Sequence, residues 1–413
     1  MISLLTILLI ISILLLTLTQ TLLVIRYTWF HRDPEPESGL DRRIDTAQRL
    51  VNLPKAAIIL CLRGEEESTP DCIAELVGQD YGDYELHIAF DSQNDPAVPQ
   101  VEAFFENHSA NAKLHFFEPK DECSYKCSGI VHVLERLGDD IEIVAFCDGD
   151  AIVDANWLQD LVQPMVEDET IGATTGNRWF APFDNAIGAQ VRKHWNAAAV
   201  VQMQAYDIAW GGSMAVRRST IENCRLSERW SKAFCEDTLL TDAMMQQSGL
   251  KLHRVPDLVI ENKETTNVAD CFSWISRQLL TVRLHHRLWP LVMAHGISTG
   301  LATIVAPLAI ILLLATGYFY EFRSLLIAWV IYQVLNFVLL KVIERCNRSA
   351  IDQRQRFSQP ASPKKKSSDR FLSLMYVQVL HPLAAIKTMK MKNVSWRGVE
   401  YAIDNKQLRV CRK

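Results

Sequence analysis

The first 25 residues of this 413-residue chain lack any charged side chain. Leucine and isoleucine dominate the stretch, which is long enough to cross a bilayer as a helix. The marks of a removable leader are also missing. No basic segment precedes the apolar run, no small-residue cleavage site follows it, and the run is too long. Arg26, Arg32, Arg42 and Arg43 follow on one side only, so the charge rule for membrane proteins puts the next domain in the cytosol. The ten cysteines contain no C-x-x-C pair and no zinc-like spacing with histidine. Cys61 and Cys147 lie inside apolar runs, where a reduced buried thiol is the ordinary state, and this points to a reducing compartment. Excess positive charge is absent too. A net charge of −5 gives no sign of nucleic-acid binding.

Between residues 50 and 265 the text alternates. Strand-like runs at 56–62, 86–90, 113–117, 141–147 and near 171–175 are separated by helical runs at 71–78, 124–137, 157–167 and near 186–204. That alternation predicts an α/β domain with a mostly parallel sheet covered on both faces. Residues 1–26 are the expected anchor. In residues 270–290, Phe272, Ile275, Leu279 and Val282 recur at helical spacing, with Arg277, Arg283, His285 and Arg287 between and beyond them. This predicts an amphipathic helix, at a membrane surface or on the domain itself. Residues 293–343 hold two further apolar runs, expected to form a membrane hairpin that turns near 320–323. Residues 344–370, with Lys364-Lys365-Lys366, are expected as a basic cytosolic loop. Residues 371–413 open with a short apolar run containing Pro382, expected to associate with the membrane without fully crossing it, and end in a basic tail.

The chemistry gathers where strand-like runs stop. Residues 141–147 lead straight into Asp148-Gly149-Asp150, and ligands of open α/β sheets bind beyond the carboxyl ends of strands. Two carboxylates one glycine apart can share a hard divalent cation such as Mg²⁺ or Mn²⁺; the plain alternative is an Asp-Gly turn. Arg63 and Glu65 follow the first strand and Asp91 the second, which places them on the same rim. Lys126 lies at the start of a helix, where a lysine is unfavourable unless a phosphate occupies that space; otherwise it is an exposed lysine. Gly211-Gly212 lets backbone approach a ligand closely. Glu236-Asp237 opens a helical stretch running to 247, either as ordinary first-turn acids or as a general base for an acceptor hydroxyl.

Taken in order, Arg63-Gly64-Glu65, Asp91, Asp148-Gly149-Asp150, Gly211-Gly212-Ser213, Glu236-Asp237, a basic helix and membrane spans resemble the membrane-bound family 2 glycosyltransferases. Within these the chain is most similar to the ceramide glucosyltransferase-like branch. Val394-Ser395-Trp396-Arg397-Gly398-Val399-Glu400-Tyr401 also looks like the Trp-Arg-Gly…Tyr ending of that group. The resemblance implies a GT-A-type nucleotide-sugar domain, a nucleoside diphosphate sugar donor (a UDP-sugar), Mg²⁺ or Mn²⁺, and a lipid acceptor at the cytosolic membrane face. It implies that Glu65 and Asp91 contact the nucleoside, with Arg63, Lys126, Gly211 and Gly212 also on the donor. It gives Asp148 and Asp150 to the diphosphate and metal, and Asp237 to catalysis as base, with Glu236 beside it. Trp396 and Arg397 fall on the acceptor or diphosphate side. One departure stands out. Where the family has Gln or Arg, two residues, then Arg-Trp, this chain reads Gln278-Leu279-Leu280-Thr281-Val282. Gln278 can take the first position, and Arg283, His286 or Arg287 can supply the missing charge from the same helix face. A single carboxylate base with in-line displacement implies inversion. The rivals are a processive polysaccharide synthase, a polyprenyl-phosphate sugar transferase, and a silent membrane scaffold.

Overall fold

The computed structural model describes residues 2–31, 53–108, 112–246, 249–358, 371–404 and 407–412. A seven-stranded sheet runs in the order β3-β2-β1-β4-β6-β5-β7. Its strands are β1 (Ala56–Leu62), β2 (Tyr84–Phe90), β3 (Lys113–Phe116), β4 (Ile143–Cys147), β5 (Ile171–Phe180), β6 (Ser213–Arg217) and β7 (Lys251–Asn262). Pairing is parallel except at β6, which runs antiparallel between β4 and β5. The sheet is therefore mostly parallel, as the sequence predicts. Period-two alternation along β1 sends Ile58 and Leu60 into one core, and Ala57 and Ile59 into the other. Sheet faces buried on both sides need continuous apolar strands, and β1 and β4 supply them.

Register sets the site. Leu62 lies opposite Phe90, and Leu60 opposite Cys147, so β1 and β2 end level and β4 ends two residues earlier, at the same edge of the sheet. Arg63, Asp91 and Asp148 leave the sheet side by side as a result. Strand β7 was not legible: Lys251, Arg254, Pro256 and Asp257 interrupt its apolar pattern, and its register with β5 shifts twice. The helix expected over 235–247 is shorter. Among its described residues Leu240–Met245 is helical, which leaves Cys235 to Leu239 as an irregular loop against the site.

Among the described residues three helices are long and apolar enough to cross a membrane: Ile2–Phe30, Trp289–Ala315 and Phe319–Arg354. A π-helical turn at Leu301–Val305 interrupts the second, just before Pro307 removes a backbone donor. The helix that starts at Phe319 continues to Ser358, so residues 344–358 of the expected loop are helical and the rest lie outside the described residues. Lys364-Lys365-Lys366, like Arg32, Arg42 and Arg43, lies outside the described residues. The segment expected to dip into the membrane is a helix, Phe371–Lys390, packed against Trp289–Gly300. Side chains at Gly296 and Gly300 would crowd Ala385 and Pro382, so the two glycines let these helices approach closely.

The amphipathic helix forms at Val268–His285, but its apolar face does not lie open to lipid. Cys271, Ile275 and Leu279 join Val191, Val200 and Leu374, while Leu280 and Leu284 join Tyr401. The basic tail is also a folded unit. Strands β8 (Asn393–Trp396), β9 (Val399–Asp404) and β10 (Gln407–Arg412) form an antiparallel sheet docked through Val399, Tyr401 and Ile403 onto Tyr125 and Phe234.

Ion pairs tie the third of these apolar helices to the domain, Lys193 to Glu344 among them. Arg354 reaches Asp160 at 2.7 Å and Asp154 at 2.7 Å, in the segment that follows Asp150. Replacing Arg354 by Gln leaves two partly buried carboxylates without their cation, at a cost on the order of 1–3 kcal/mol. Thermal unfolding in detergent should show a lower midpoint by several degrees. An unchanged midpoint would mean the strut bears no load.

Candidate active site

Helix Tyr125–Leu134 begins at Ser124, whose hydroxyl accepts from the Cys127 amide at 3.2 Å and caps it. That cap fixes Lys126 in the first turn, aimed at the end of β4. Its ammonium lies 2.5 Å from Asp148 Oδ1, 2.6 Å from Glu236 Oε1 and 3.2 Å from the Gly211 carbonyl oxygen. Burial works against the lysine charge, but the two carboxylates outweigh it and hold the group protonated. The same pairing keeps Asp148 below the usual carboxylate range although burial opposes this. Asp150 goes the other way. Burial, then repulsion from Asp148, pushes its carboxyl up to about 6, while Asn262 donates to its Oδ2 at 3.2 Å. Glu236 is pushed up to about 7, first by burial and then by Asp237 and Asp148 against the pull of Lys126.

Asp237 is held differently from its neighbour. Its Oδ2 accepts from the Gly211 amide at 2.9 Å, and its Oδ1 from the Thr238 amide at 2.6 Å and hydroxyl at 2.9 Å. Glu236 is 2% exposed, whereas Asp237 is half-buried and faces the cavity. The close approach of the Gly211 backbone explains the residue type: a Cβ there would sit 1.9 Å from Glu236 Oε1. At Gly212 it would meet Asp148 Oδ2 at 2.6 Å.

Cations from three separate elements face these acids. Arg178 on β5 lies 4.0 Å from Asp150 Oδ2, with its guanidinium within 5.0–5.5 Å of the Phe180, Trp210 and Trp274 ring centres. Arg277 stacks over Trp396 at 5.2 Å; burial, then Arg178 and Arg397, lower its guanidinium to about 10. Arg397 pairs with Glu66. Arg397 and Gly398 both have positive φ, 52° and 74°, as a tight hairpin turn between β8 and β9 requires. Arg63 pairs with Asp91, donates to the Arg397 carbonyl oxygen at 2.8 Å and lies over the Tyr125 ring. Asp91 Oδ1 is buried without a partner.

Of the residues singled out from the sequence, Arg63, Asp91, Lys126, Asp148, Asp150, Gly211, Glu236, Asp237, Gln278, Trp396 and Arg397 line one cavity of about 620 Å³. Glu65 is exposed outside that lining, and Glu66 stands there instead. Arg283 turns away: its guanidinium donates to the Thr388 and Met391 carbonyl oxygens, where helix Phe371–Lys390 ends. The charge sought on this helix comes from Arg277. Its signal was a cation two residues from both Ile275 and Leu279, hence on the helix face opposite that apolar pair. Arg178 and Trp274 were also missed. A charged residue in the apolar run 171–180 was the available clue.

Among the described residues no group of three or more His, Cys, Asp or Glu side chains is arranged to hold a metal. Asp148 and Asp150 nevertheless suit a hard cation that completes its shell with phosphate oxygens, since the strain between them is the kind a dication relieves. Paired acids at the ends of strands, faced by a trio of arginines, form the charged end of the cavity. The chain belongs to glycosyl transferase family 21, whose sequence model matches residues 6–408. It is thus a glycosyltransferase. No curated protein gives a match. Among solved structures the chain is similar to a mannosyltransferase from Pyrobaculum calidifontis in complex with GDP-Man and Mn²⁺. Identity is 15%, coverage 92% of this chain and 99% of that one, and the TM-score 0.48. It is also similar to glucosyl-3-phosphoglycerate synthase from Mycobacterium tuberculosis with phosphoglyceric acid, at 15% identity, 60% and 85% coverage and TM-score 0.39.

A raised carboxyl binds its proton more tightly in the folded chain, so stability falls as pH rises through the window between its unfolded and folded values. For Glu236 that window runs from about 4.5 to about 7. The melting temperature of a Glu236→Gln protein should therefore gain on wild type between pH 5 and 8. A constant difference across that range would contradict the burial assigned to Glu236.

Proposed function

We propose that this glycosyltransferase moves one sugar from a nucleoside diphosphate sugar, a UDP-hexose, to a hydroxyl of a lipid at the cytosolic membrane face, with inversion at the anomeric carbon. One observation carries the reading. A single cavity touches both the acid–arginine cluster and the membrane helices, so a water-soluble donor and a membrane-held acceptor can meet in it. The orphaned Asp91 Oδ1 is placed for an N–H or O–H of the nucleoside, with Arg63 holding its other oxygen. Arg178, Arg277 and Arg397 supply the positive charge that a diphosphate needs. A divalent cation held by Asp148 and Asp150 would neutralise charge on the leaving diphosphate.

Asp237 serves as the base. Two backbone amides and a hydroxyl fix its carboxylate, and it faces the cavity where the acceptor oxygen must lie. Glu236 is ill-suited to that task because Lys126 covers it. Lys126 instead holds Asp148 and Glu236 apart from one another and leaves a cation beside the diphosphate. The cytosolic orientation rests on the arginines that follow the first helix.

Turnover by purified protein in lipid, with Mn²⁺ or Mg²⁺, UDP- and GDP-sugars and total lipid extract, tests the reading. A lipid carrying one added sugar is expected. Asp237→Asn should cut turnover by about 10²–10⁴-fold while nucleotide affinity stays close to wild type. Near-normal turnover in that variant would remove Asp237 from the role. Long water-soluble product would replace the reading with a polymer synthase.

A further inference from the structure

Helix Phe371–Lys390 has two faces. Leu374, Val377, His381, Ala384, Ala385 and Thr388 are buried against the rest of the chain. Half a turn round, Leu372, Tyr376, Leu383 and Ile386 are exposed, and exposed Lys387 and Lys390 continue that stripe at its C-terminal end. The neighbouring helix sets the depth of this end. Gly296 meets Ala385, Gly300 meets Pro382, and Thr303 Oγ1 donates to the Gln378 carbonyl oxygen at 3.0 Å, so the two helices run antiparallel. The same register carried on brings residues 389–392 level with 289–292, where the apolar helix Trp289–Ala315 starts. The lysines therefore share the level of Trp289, at which a spanning helix leaves the hydrocarbon. Charge in this stretch is one-sided. From Phe371 to Val399 the chain has Lys387, Lys390, Lys392 and Arg397, and no Asp or Glu. Lys387 Nζ lies over the Phe272 ring at 4.8 Å, and among the described residues none of the three lysines pairs with an acid.

We propose that Lys387, Lys390 and Lys392 form a docking surface for anionic lipid headgroups of the bilayer. This rests on reading the three long apolar helices as membrane spans, and it is independent of sugar transfer. The exposed stripe from Leu372 to Ile386 lies along acyl chains, and the lysine stems extend it while their ammonium groups reach the headgroup phosphates. A zwitterionic headgroup carries its own cation beside the phosphate. An anionic one leaves a net charge for the lysines to meet, and no acid in the stretch competes for them. The surface also adjoins the cavity. Thr388 Oγ1 donates to the Ser276 carbonyl oxygen at 3.1 Å, and Arg283 to the Met391 carbonyl oxygen at 3.0 Å. One residue beyond Lys392 begins the strand Asn393–Trp396, which leads into Arg397 at the cavity wall. A headgroup held at Lys392 steadies the root of that hairpin.

The test places the full chain in nanodiscs of phosphatidylcholine, alone or with a minor share of phosphatidylglycerol, and reads lipid retention by native mass spectrometry. Wild type should retain phosphatidylglycerol preferentially and melt several degrees higher in the mixed discs. A protein with Lys387→Gln, Lys390→Gln and Lys392→Gln should bind phosphatidylglycerol at least about tenfold more weakly, each lysine giving roughly a fivefold preference, and should lose the melting shift. Both effects should fade at about 1 M salt, where the Debye length is about 3 Å. The control changes the other basic run, Lys364→Gln, Lys365→Gln and Lys366→Gln, and should keep both effects. Equal retention of the two lipids by wild type, or loss of the preference in the control alone, would overturn the proposal. An equal melting shift from soluble glycerol phosphate would make this a free-anion site and overturn lipid docking. If the first variant melts below wild type in phosphatidylcholine alone, Lys390→Gln with Lys392→Gln, which spares the Lys387 contact with Phe272, carries the comparison. A lost preference there upholds the surface, and an intact one ends it.

Discussion

The Lys126 ammonium is the contact on which the site depends. Four acids, Asp148, Asp150, Glu236 and Asp237, are gathered where three chain segments meet, and without a central cation they would repel one another in a poorly solvated space. Lys126 binds one carboxylate from the end of β4, one from the loop before Leu240, and the carbonyl oxygen of Gly211 between them. The ion is costly to bury, and the geometry compensates with three close partners. Glycine at 211 follows from the same arrangement, because any side chain there would displace Glu236.

Around that pivot the site is assembled from parts far apart in sequence. The ends of β2 and β4 bring Asp91, Asp148 and Asp150, β5 brings Arg178, the helix after β7 brings Arg277, and the small C-terminal sheet brings Arg397. Aromatic rings hold the arginines in place. Trp210, Trp274 and Phe180 surround Arg178, and Trp396 carries Arg277. The membrane helices are locked to this assembly through Arg354 and through the close packing at Gly296 and Gly300.

What could be read in advance followed from locality. β2 and β4 announce themselves as strand-like runs, and the acids that end them must then fall on the ligand rim, so Asp91, Asp148 and Asp150 were legible. Partner choice was not. Arg283 and Arg277 lie six residues apart on one helix, and only packing against Phe371–Lys390 sends Arg283 to its carbonyl oxygens and Arg277 to the cavity. β7 hid behind its proline and charges, since it draws its order from β5 rather than from its own pattern. The amphipathic pattern of 268–285 was read well as a helix, but pattern alone does not say whether protein or lipid covers an apolar face.

The hairpin turn at Arg397 has a consequence for how the protein is made. Roughly 250 residues separate Asp148 from Arg397, so at about 5–20 residues per second the acids leave the ribosome some tens of seconds before that arginine. For that interval the nascent domain holds its carboxylates with an incomplete set of counter-charges. The cavity gains its last arginine from the segment made last.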